Sequence, residues 1–404
     1  MKKQRTGDLK LIQQLNESVI LEMIRDHGPI SRSQIAKELG ISPTTVTSAV
    51  NLLMAKDLVT EDGIGISSGG RKPVLLRFNP TAHSIIGVAV TNTKIAIAEL
   101  DLNGNVKQRE DHDTHNARGN DIVELLLEKL ERFVQKHPNL LHCQGISVVL
   151  PGIVDAQHGV VSYNSKLNLF NVPLVKLIEK KLGIPTYIDN DANSYVLSHY
   201  YFGSSAKYKN LIYITIGEGI GSGIMINGQI FRGSNGSAGE IGHTSVAPDG
   251  AVCECGGQGC LESYVSWPVI YGKIVSAVIS NSTPTLIPMM TNGDINQITP
   301  AIFLKALKEG DQLCENIMKE MVRYLSTAIK DYIHLFDPEA IILSGSIVQD
   351  NHQLIEQLQE EVAKKVISNL RSKVNIQLSP VGSEKRMLGA AAILFHNKFK
   401  FRLS

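Results

Sequence analysis

The sequence predicts an α/β protein in two unequal parts, a small winged helix-turn-helix head and a larger layered body. Three observations carry this. The first 80 or so residues hold three short, capped helical patterns, then two strand patterns around a glycine-rich loop. From residue 85 onward, apolar strand runs alternate with amphipathic helices, and polar and glycine residues cluster after the strand ends. Three of the five cysteines fall within eight residues, His243-Thr-Ser-Val-Ala-Pro-Asp-Gly-Ala-Val-Cys-Glu-Cys-Gly-Gly-Gln-Gly-Cys260 placing a histidine ten positions ahead of the first.

A chain of 404 residues exceeds one small core, and 43% apolar and 20% charged residues are ordinary globular values. No apolar run reaches the length of about 18 residues that a membrane span needs. The opening MKKQRTGDLKLIQQLNES lacks the apolar core and cleavage site of a secretory leader, so a cytoplasmic location is expected. The net charge of +1 is uneven. Residues 1–80 carry eleven Lys and Arg against eight Asp and Glu, and the remainder 29 against 31. A basic head on a slightly acidic body suits nucleic-acid contact through the head. The expected division is a head over 1–80 and a body over 81–404.

In the head, Asn16 is expected to cap a helix with Val19, Ile20, Met23 and Ile24 on one face, ended by Gly28-Pro29. Ser31 and Gln34 have the spacing of a capping box, with Ile35, Ala36 and Leu39 inward and Gly40 as the stop. Ser42 caps a third helix with Pro43 in its first turn, and Val46, Ala49, Val50 and Leu53 form its buried stripe. Its other face presents Ser42, Thr44, Thr45, Thr47, Ser48 and Asn51, small polar residues that let a helix approach base edges and phosphates. The tight Gly-Ile-Ser junction fits a helix-turn-helix. Leu58-Val59-Thr60 and EDGIGISSGGRKPVLLRF then read as a β-wing with Arg71 and Lys72 at its base, within reach of phosphates or a minor groove. Arg32 joins this set at the start of the second helix. A three-helix protein-binding module is the competing reading, and Lys2, Lys3 and Arg5 are equally a DNA arm or a solvated tail.

In the body, Ile85–Val90 and Lys94–Leu100 read as a hairpin, Asp121–His137 as an amphipathic helix, and Ile146–Leu150 as a buried strand ending in Pro151-Gly152. Thr186–Ile188 is a short strand followed by Asp189-Asn190-Asp191, and Leu211–Ile216 runs into GEGIGSG. Those glycines suit either a phosphate-cradling loop or a tight hairpin, and the Asn227-Gly228 turn after Ile224–Ile226 favours a hairpin. Ala340–Leu343 is a late strand.

His243, Cys253, Cys255 and Cys260 form H-x9-C-x-C-x4-C, one imidazole and three thiolates suited to tetrahedral Zn²⁺. Four protein ligands leave no open position, so the zinc is expected to be structural. Cys143 and Cys314 read as core thiols. Glu240 lies three residues before His243, and Glu262 two after Cys260. Metal binding would pin a loop between two carboxylates, and with Asn190 and Asp191 these groups suit the hydroxyls of a polyol.

GEIGH followed by CECGGQGCLES resembles the signature of the ROK family (repressors, open reading frames and sugar kinases), as do PGIVD, IDNDAN and ITIGEGIGSGIMINGQI in order. GISSGGRKPVLLRF is similar to the wing of that family's xylose-repressor branch. The resemblance implies a two-lobed, actin-like sugar-kinase (ribonuclease H-like) body, its first lobe over about 81–195 plus the C-terminal helix and its second over about 196–382. It implies a sugar held by Asn190, Asp191, Glu240, His243 and Glu262, with Gly152 and Ser165 in the same pocket. In the family's kinases the aspartate at the position of Asp191 is the general base. The departures point away from catalysis. Where those kinases carry Asp-x-Gly-Gly-Thr, this chain has Ala89, Thr91 and Asn92, with Thr93 alone retained. Glu218 stands in the second phosphate loop, and LSGSIV (343–348) has serines in place of glycines. The expectation is a sugar-responsive DNA-binding repressor of carbohydrate-utilisation genes. It is expected to act as a homodimer or tetramer on operator DNA, with xylose as the first candidate effector and without catalytic residues. An active sugar kinase with a DNA-binding appendage is the alternative.

Overall fold

The computed structural model describes residues 9–66, 72–203, 208–371, 375–379 and 385–399. The head opens with α1 (Leu9–His27), a two-residue strand β1 (Ile30–Ser31), α2 (Arg32–Leu39) and α3 (Pro43–Ala55). The strands β2 (Val59–Ile64) and β3 (Val74–Phe78) pair antiparallel, and β1 joins β3, giving a three-stranded wing base. The capping chemistry decides the helix starts. The Ser31 hydroxyl accepts from the Gln34 amide while Gln34 reaches back to the Ser31 amide, and Ser42 accepts from Thr45. Gly40 ends α2 at φ 64°, left-handed backbone that favours glycine. Asn16 lies inside α1, not at its cap, because the helix already runs from Leu9. Ile20, Leu21 and Ile24 are buried, each worth roughly 1.5–3 kcal/mol.

The body's first sheet contains β4 (Ile85–Val90), β5 (Lys94–Leu100), β6 (Val106–Asp113), β7 (Ile146–Leu150) and β11 (Thr186–Asn190), in the order β11-β7-β4-β5-β6. β4 and β5 form the expected hairpin, and β7 and β11 run parallel to the sheet's centre. α4 (Asn120–Lys136) and α5 (Leu174–Leu182) cover one face. A small antiparallel sheet of β8 (Ile153–Asp155), β9 (Val160–Asn164) and β10 (Leu169–Val172) follows β7. After α6 (Asp191–Phe202), the second sheet is built from β12 (Leu211–Ile216), β13 (Ile220–Ile226), β14 (Gln229–Ile230), β15 (Ala340–Ser344) and β16 (Asn375–Leu378), in the order β14-β13-β12-β15-β16. β12 and β13 pair antiparallel through the glycine stretch, so GEGIGSG is part of a hairpin. Helices α7 (Glu262–Val265), α8 (Trp267–Ser280), α9 (Ile287–Met290), α10 (Pro300–Lys308), α11 (Gln312–Phe336) and α12 (His352–Lys365) pack around this sheet. The final helix α13 (Lys385–Lys398) lies on β4, β7 and β11 of the first sheet, and α6 lies chiefly on β12 and β13 of the second; the two helices pack against each other. One hydrophobic core runs from the head through this pair, joining Ile20, Leu53 and Leu76 to Tyr195, Tyr213, Ala390 and Phe395. Among the described residues, no helix is long and apolar enough to cross a membrane.

His199 of α6 is fully buried, and neither ring nitrogen has a hydrogen-bond partner among the described residues. Burial lowers its pKa from 6.5 to about 4. The unfolded chain therefore takes up this proton first, so the stability is present above pH 6.5 and is lost as pH falls toward 4. The expected slope in that window is about 1.4 kcal/mol per pH unit from this one group. His199→Phe should flatten it in urea unfolding measured from pH 7 to 4.5; an unaltered slope would refute the neutral-histidine account.

Candidate functional site

Two sets of polar residues meet at the strand ends. Leu150 of β7 pairs with Asn190 of β11, so the turns leaving these parallel strands, Pro151-Gly152 and Asn190-Asp191, emerge side by side. Gly152 has φ 103°, and a Cβ there would meet the Tyr163 carbonyl at 2.4 Å. Only glycine lets the hairpin carrying Asn164 and Ser165 fold back this closely. The buried Asn164 locks the approach, donating to the Pro151 carbonyl at 2.6 Å and accepting from the Leu167 amide at 2.8 Å, which leaves Ser165 exposed beside it. Asn190 caps α6, accepting from the Asn193 amide at 2.8 Å, and the half-buried Asp191 opens the helix.

The second set comes from the other sheet. Gly239 sits against β13, where a Cβ would meet the Ser222 carbonyl at 2.3 Å, and its own carbonyl accepts from the Ser222 amide and hydroxyl. Glu240 follows directly. Glu262, at the start of α7, accepts from the Ile220 amide at 2.7 Å. Desolvation raises the Glu240 pKa; His243 opposes this, and the charges of Asp191 and Glu262 raise it further. The charges of Asp191, His243 and Glu262 thus lie near enough to Glu240 to act on it.

Asp189, one residue before the Asn190 cap, is 1% exposed and forms a bidentate pair with Arg232, at 2.7 and 2.5 Å. Asp189 also accepts from the Asn190 amide and from Asn193 Nδ2. Arg232 leaves β14 at the start of the loop that ends at Glu240, so the pair joins the two sets at their base. Sequence reasoning missed it. The available signal was that Arg232 is the one Lys or Arg between Lys209 and Lys273.

His243, Cys253, Cys255 and Cys260 converge, their ligand atoms all within 4.8 Å of one another. Cys253 Sγ lies 3.7 Å from His243 Nδ1, and Cys255 Sγ 3.8 Å from Cys260 Sγ. Two thiolates on a tetrahedral zinc at about 2.3 Å stand about 3.8 Å apart, so the donor set fits the ion. The stretch folds as a knuckle, with bridges between Ser245 and Cys260 and between Val252 and Gln258, tied to α7 by the Tyr264 hydroxyl accepting from the Ala251 amide at 2.7 Å. His243 turns Nδ1 toward the sulfurs, which leaves its other ring nitrogen, Nε2, outside the donor set.

On the head, Ser42, Thr44, Thr47, Ser48 and Asn51 are exposed and Thr45 is half-buried. Three of them are already engaged at the start of α3: the Ser42 hydroxyl accepts from the Thr45 amide and lies 2.8 Å from the Thr45 hydroxyl, and Thr47 donates to the Pro43 carbonyl at 2.8 Å. Thr44, Ser48 and Asn51 are the outward groups without such a bond among the described residues. Arg32 packs on Met54 and lies 3.7 Å from Glu61, which ties α2 to the wing. Lys72 is exposed, and Arg71 lies outside the described residues, as do Lys2, Lys3 and Arg5.

Comparison with known proteins agrees with both halves of the geometry. Residues 85–397 match the ROK family, and residues 16–60 match a winged helix-turn-helix DNA-binding domain. The xylose repressor of Caldicellulosiruptor bescii is 30% identical over 397 residues, covering 98% of this chain and 99% of that protein. A crystal structure of a ROK family transcriptional regulator, a homolog of the E. coli MLC protein, superposes with a TM-score of 0.84 at 28% identity, over 95% of this chain and 96% of that one. A ROK family glucokinase from Streptomyces griseus, in complex with glucose and AMPPNP, superposes with a TM-score of 0.66 at 25% identity over 76% of this chain and 98% of its own.

Proposed function

Because this chain belongs to the ROK family, we propose that it is a sugar-responsive, DNA-binding transcriptional repressor of carbohydrate-utilisation genes, with a xylose-type effector. The observation that carries this reading is the presence in one chain of a capped winged helix-turn-helix and a body in which Asp191, His243 and Glu262 lie near Glu240, with repressor similarity spanning both. α3 would enter the major groove with Thr44, Ser48 and Asn51 toward the bases, while Lys72 and Arg71 would lie at the wing. A homodimer on a two-fold operator, alone or paired into a tetramer, is the matching assembly. In the cleft, Asp191, Glu240 and Glu262 would accept from sugar hydroxyls, and Asn190 and His243 Nε2 would donate; Gly152 and Ser165 would line the wall. Zn²⁺ held by His243, Cys253, Cys255 and Cys260 would fix the loop carrying Glu240 and orient His243. Sugar would act as a population shift, binding one arrangement of the lobes better than the other.

The sugar-kinase alternative draws support from Asp191, a half-exposed carboxylate at the mouth of the cleft. Against it, Ala89 is buried in β4 where the family's kinases carry an aspartate, and Glu218 is exposed in the β12–β13 turn where it would repel a triphosphate.

The test is a thermal-shift panel of xylose, glucose, mannose, N-acetylglucosamine, N-acetylmannosamine and ATP with magnesium. One sugar should raise the melting temperature and ATP should not. A shift with ATP and magnesium would put the kinase first. Glu240→Gln should abolish the sugar's shift, since it removes a carboxylate acceptor for sugar hydroxyls. An undiminished sugar shift in this variant would remove Glu240 from the site.

A further inference from the structure

One helix has the cleft at one end and the head at the other. α6 opens with Asn190 and Asp191 and reaches Tyr200-Tyr201 about 15 Å further on, beside α1. It is held without slack. A Cβ on Gly223 of β13 would meet the Ala192 carbonyl at 2.5 Å, and a Cβ on Gly389 of α13 would meet Ser194 Oγ at 2.6 Å. A rod packed this closely shifts as a unit.

At its far end stands Arg25 of α1, with a side chain 7% exposed. Its guanidinium carbon lies 5.0 Å from the Tyr201 ring centroid and 4.7 Å from that of Phe395. These rings belong to different layers. Tyr201 rides on α6, which lies chiefly on the second sheet, and Phe395 on α13, which lies on the first. The guanidinium therefore touches a helix from each layer at a point where the two rings also meet, their centroids 5.1 Å apart, and where the Tyr201 hydroxyl stands 3.0 Å from His396 Nδ1 of α13. Nearby, Ser18 Oγ donates to the Phe399 carbonyl at 2.8 Å, a second tie from α1 to the end of α13. Arg25 pairs with Asp26 at 2.7 Å, yet its Nη1 is buried without a hydrogen-bond partner among the described residues. The attraction of the rings is thus set against the desolvation of a cation.

We propose that Arg25 is the positioning residue that transmits sugar occupancy to the DNA-binding head: occupancy of the cleft shifts the packed α6–α13 pair, and the guanidinium stacked on the Tyr201 and Phe395 rings carries that shift to α1. The inference rests on the repressor reading above.

The test uses the full-length protein and a duplex selected by the wild type from a random library. Operator affinity is measured without sugar, with xylose and with N-acetylglucosamine. Wild type should change its operator affinity about tenfold or more with one of them. Arg25→Met should reduce that ratio to about twofold or less, while its sugar affinity by calorimetry stays within about threefold of wild type. Arg25→Lys, which keeps the cation, should retain part of the response. A purely structural residue would not separate response from sugar affinity in this way. If wild type responds and Arg25→Met responds equally, the inference falls alone. If wild type binds the duplex but neither sugar alters its affinity, the repressor reading falls with it. Should Arg25→Met fail to fold, hydrogen exchange on wild type decides: sugar should change protection in residues 18–25 and 199–202, and protection confined to the cleft would overturn the proposal.

Discussion

Arg232→Ala is expected to destabilise the protein by about 3–5 kcal/mol, the largest effect of any single substitution near the cleft. Asp189 is 1% exposed, and the substitution would leave its carboxylate buried without its cation. The remaining donors, the Asn190 amide and Asn193 Nδ2, are neutral and cannot replace a bidentate guanidinium. The pair itself contributes much less than this, because bringing both charges out of water opposes their attraction. Arg232→Met combined with Asp189→Asn should therefore be far milder than Arg232→Ala, and the double-mutant cycle should show strong coupling. Urea unfolding at neutral pH reads both. Arg232→Ala within 1 kcal/mol of wild type would mean that the carboxylate finds water or another donor. Sugar affinity should fall as well, since Asp189 precedes Asn190 and Asp191, and Arg232 begins the loop that ends at Glu240.

Cys260→Ser should strip the zinc and with it the sugar response. Cys260 is 2% exposed and faces Cys255, and it sits opposite Ser245 in a bridge held by the Val246 amide on the Gly259 carbonyl and the Leu261 amide on the Thr244 carbonyl, so one substitution opens the knuckle at its centre. Burial and the neighbouring thiols push the Cys260 pKa up to about 12, so a dication is what would hold all three sulfurs as thiolates. Elemental analysis should give one zinc per wild-type chain and close to none in the variant. Sugar affinity should fall about 10- to 100-fold, the usual scale for loss of support behind a binding residue. Full zinc in Cys260→Ser would overturn the ligand assignment. Zinc loss with unchanged sugar affinity would detach the metal from the cleft.

What the sequence made legible was local. Ser31, Gln34, Gly40, Ser42 and Pro43 each act within four residues of themselves, and the helices of the head start and stop where they dictate. Predominantly apolar runs likewise marked β4, β5, β7 and β12 at their observed bounds. β6, Val-Lys-Gln-Arg-Glu-Asp-His-Asp, escaped notice because an edge strand with one wet face needs little apolar content. The cleft residues were readable as types, since carboxylates and an imidazole around a cysteine cluster announce themselves. The contacts that hold the cleft and the head in place were not. Asp189 and Arg232 are 43 residues apart, and Arg25 meets rings that lie far along the chain. No periodicity or motif within one sequence encodes such pairings.

The continuous core between head and body sets a rule for anyone building sensors from this scaffold. Exchanging the DNA-reading module for another at a cut near residue 80 would strand Phe395 and Tyr201 without Arg25, and would uncover the Tyr201, Phe395 and Phe399 surface on which Ser18 and Leu21 of α1 sit. A graft that alters operator choice yet stays inducible has to keep this inner surface of α1 and replace only the outward residues of α3 and the wing.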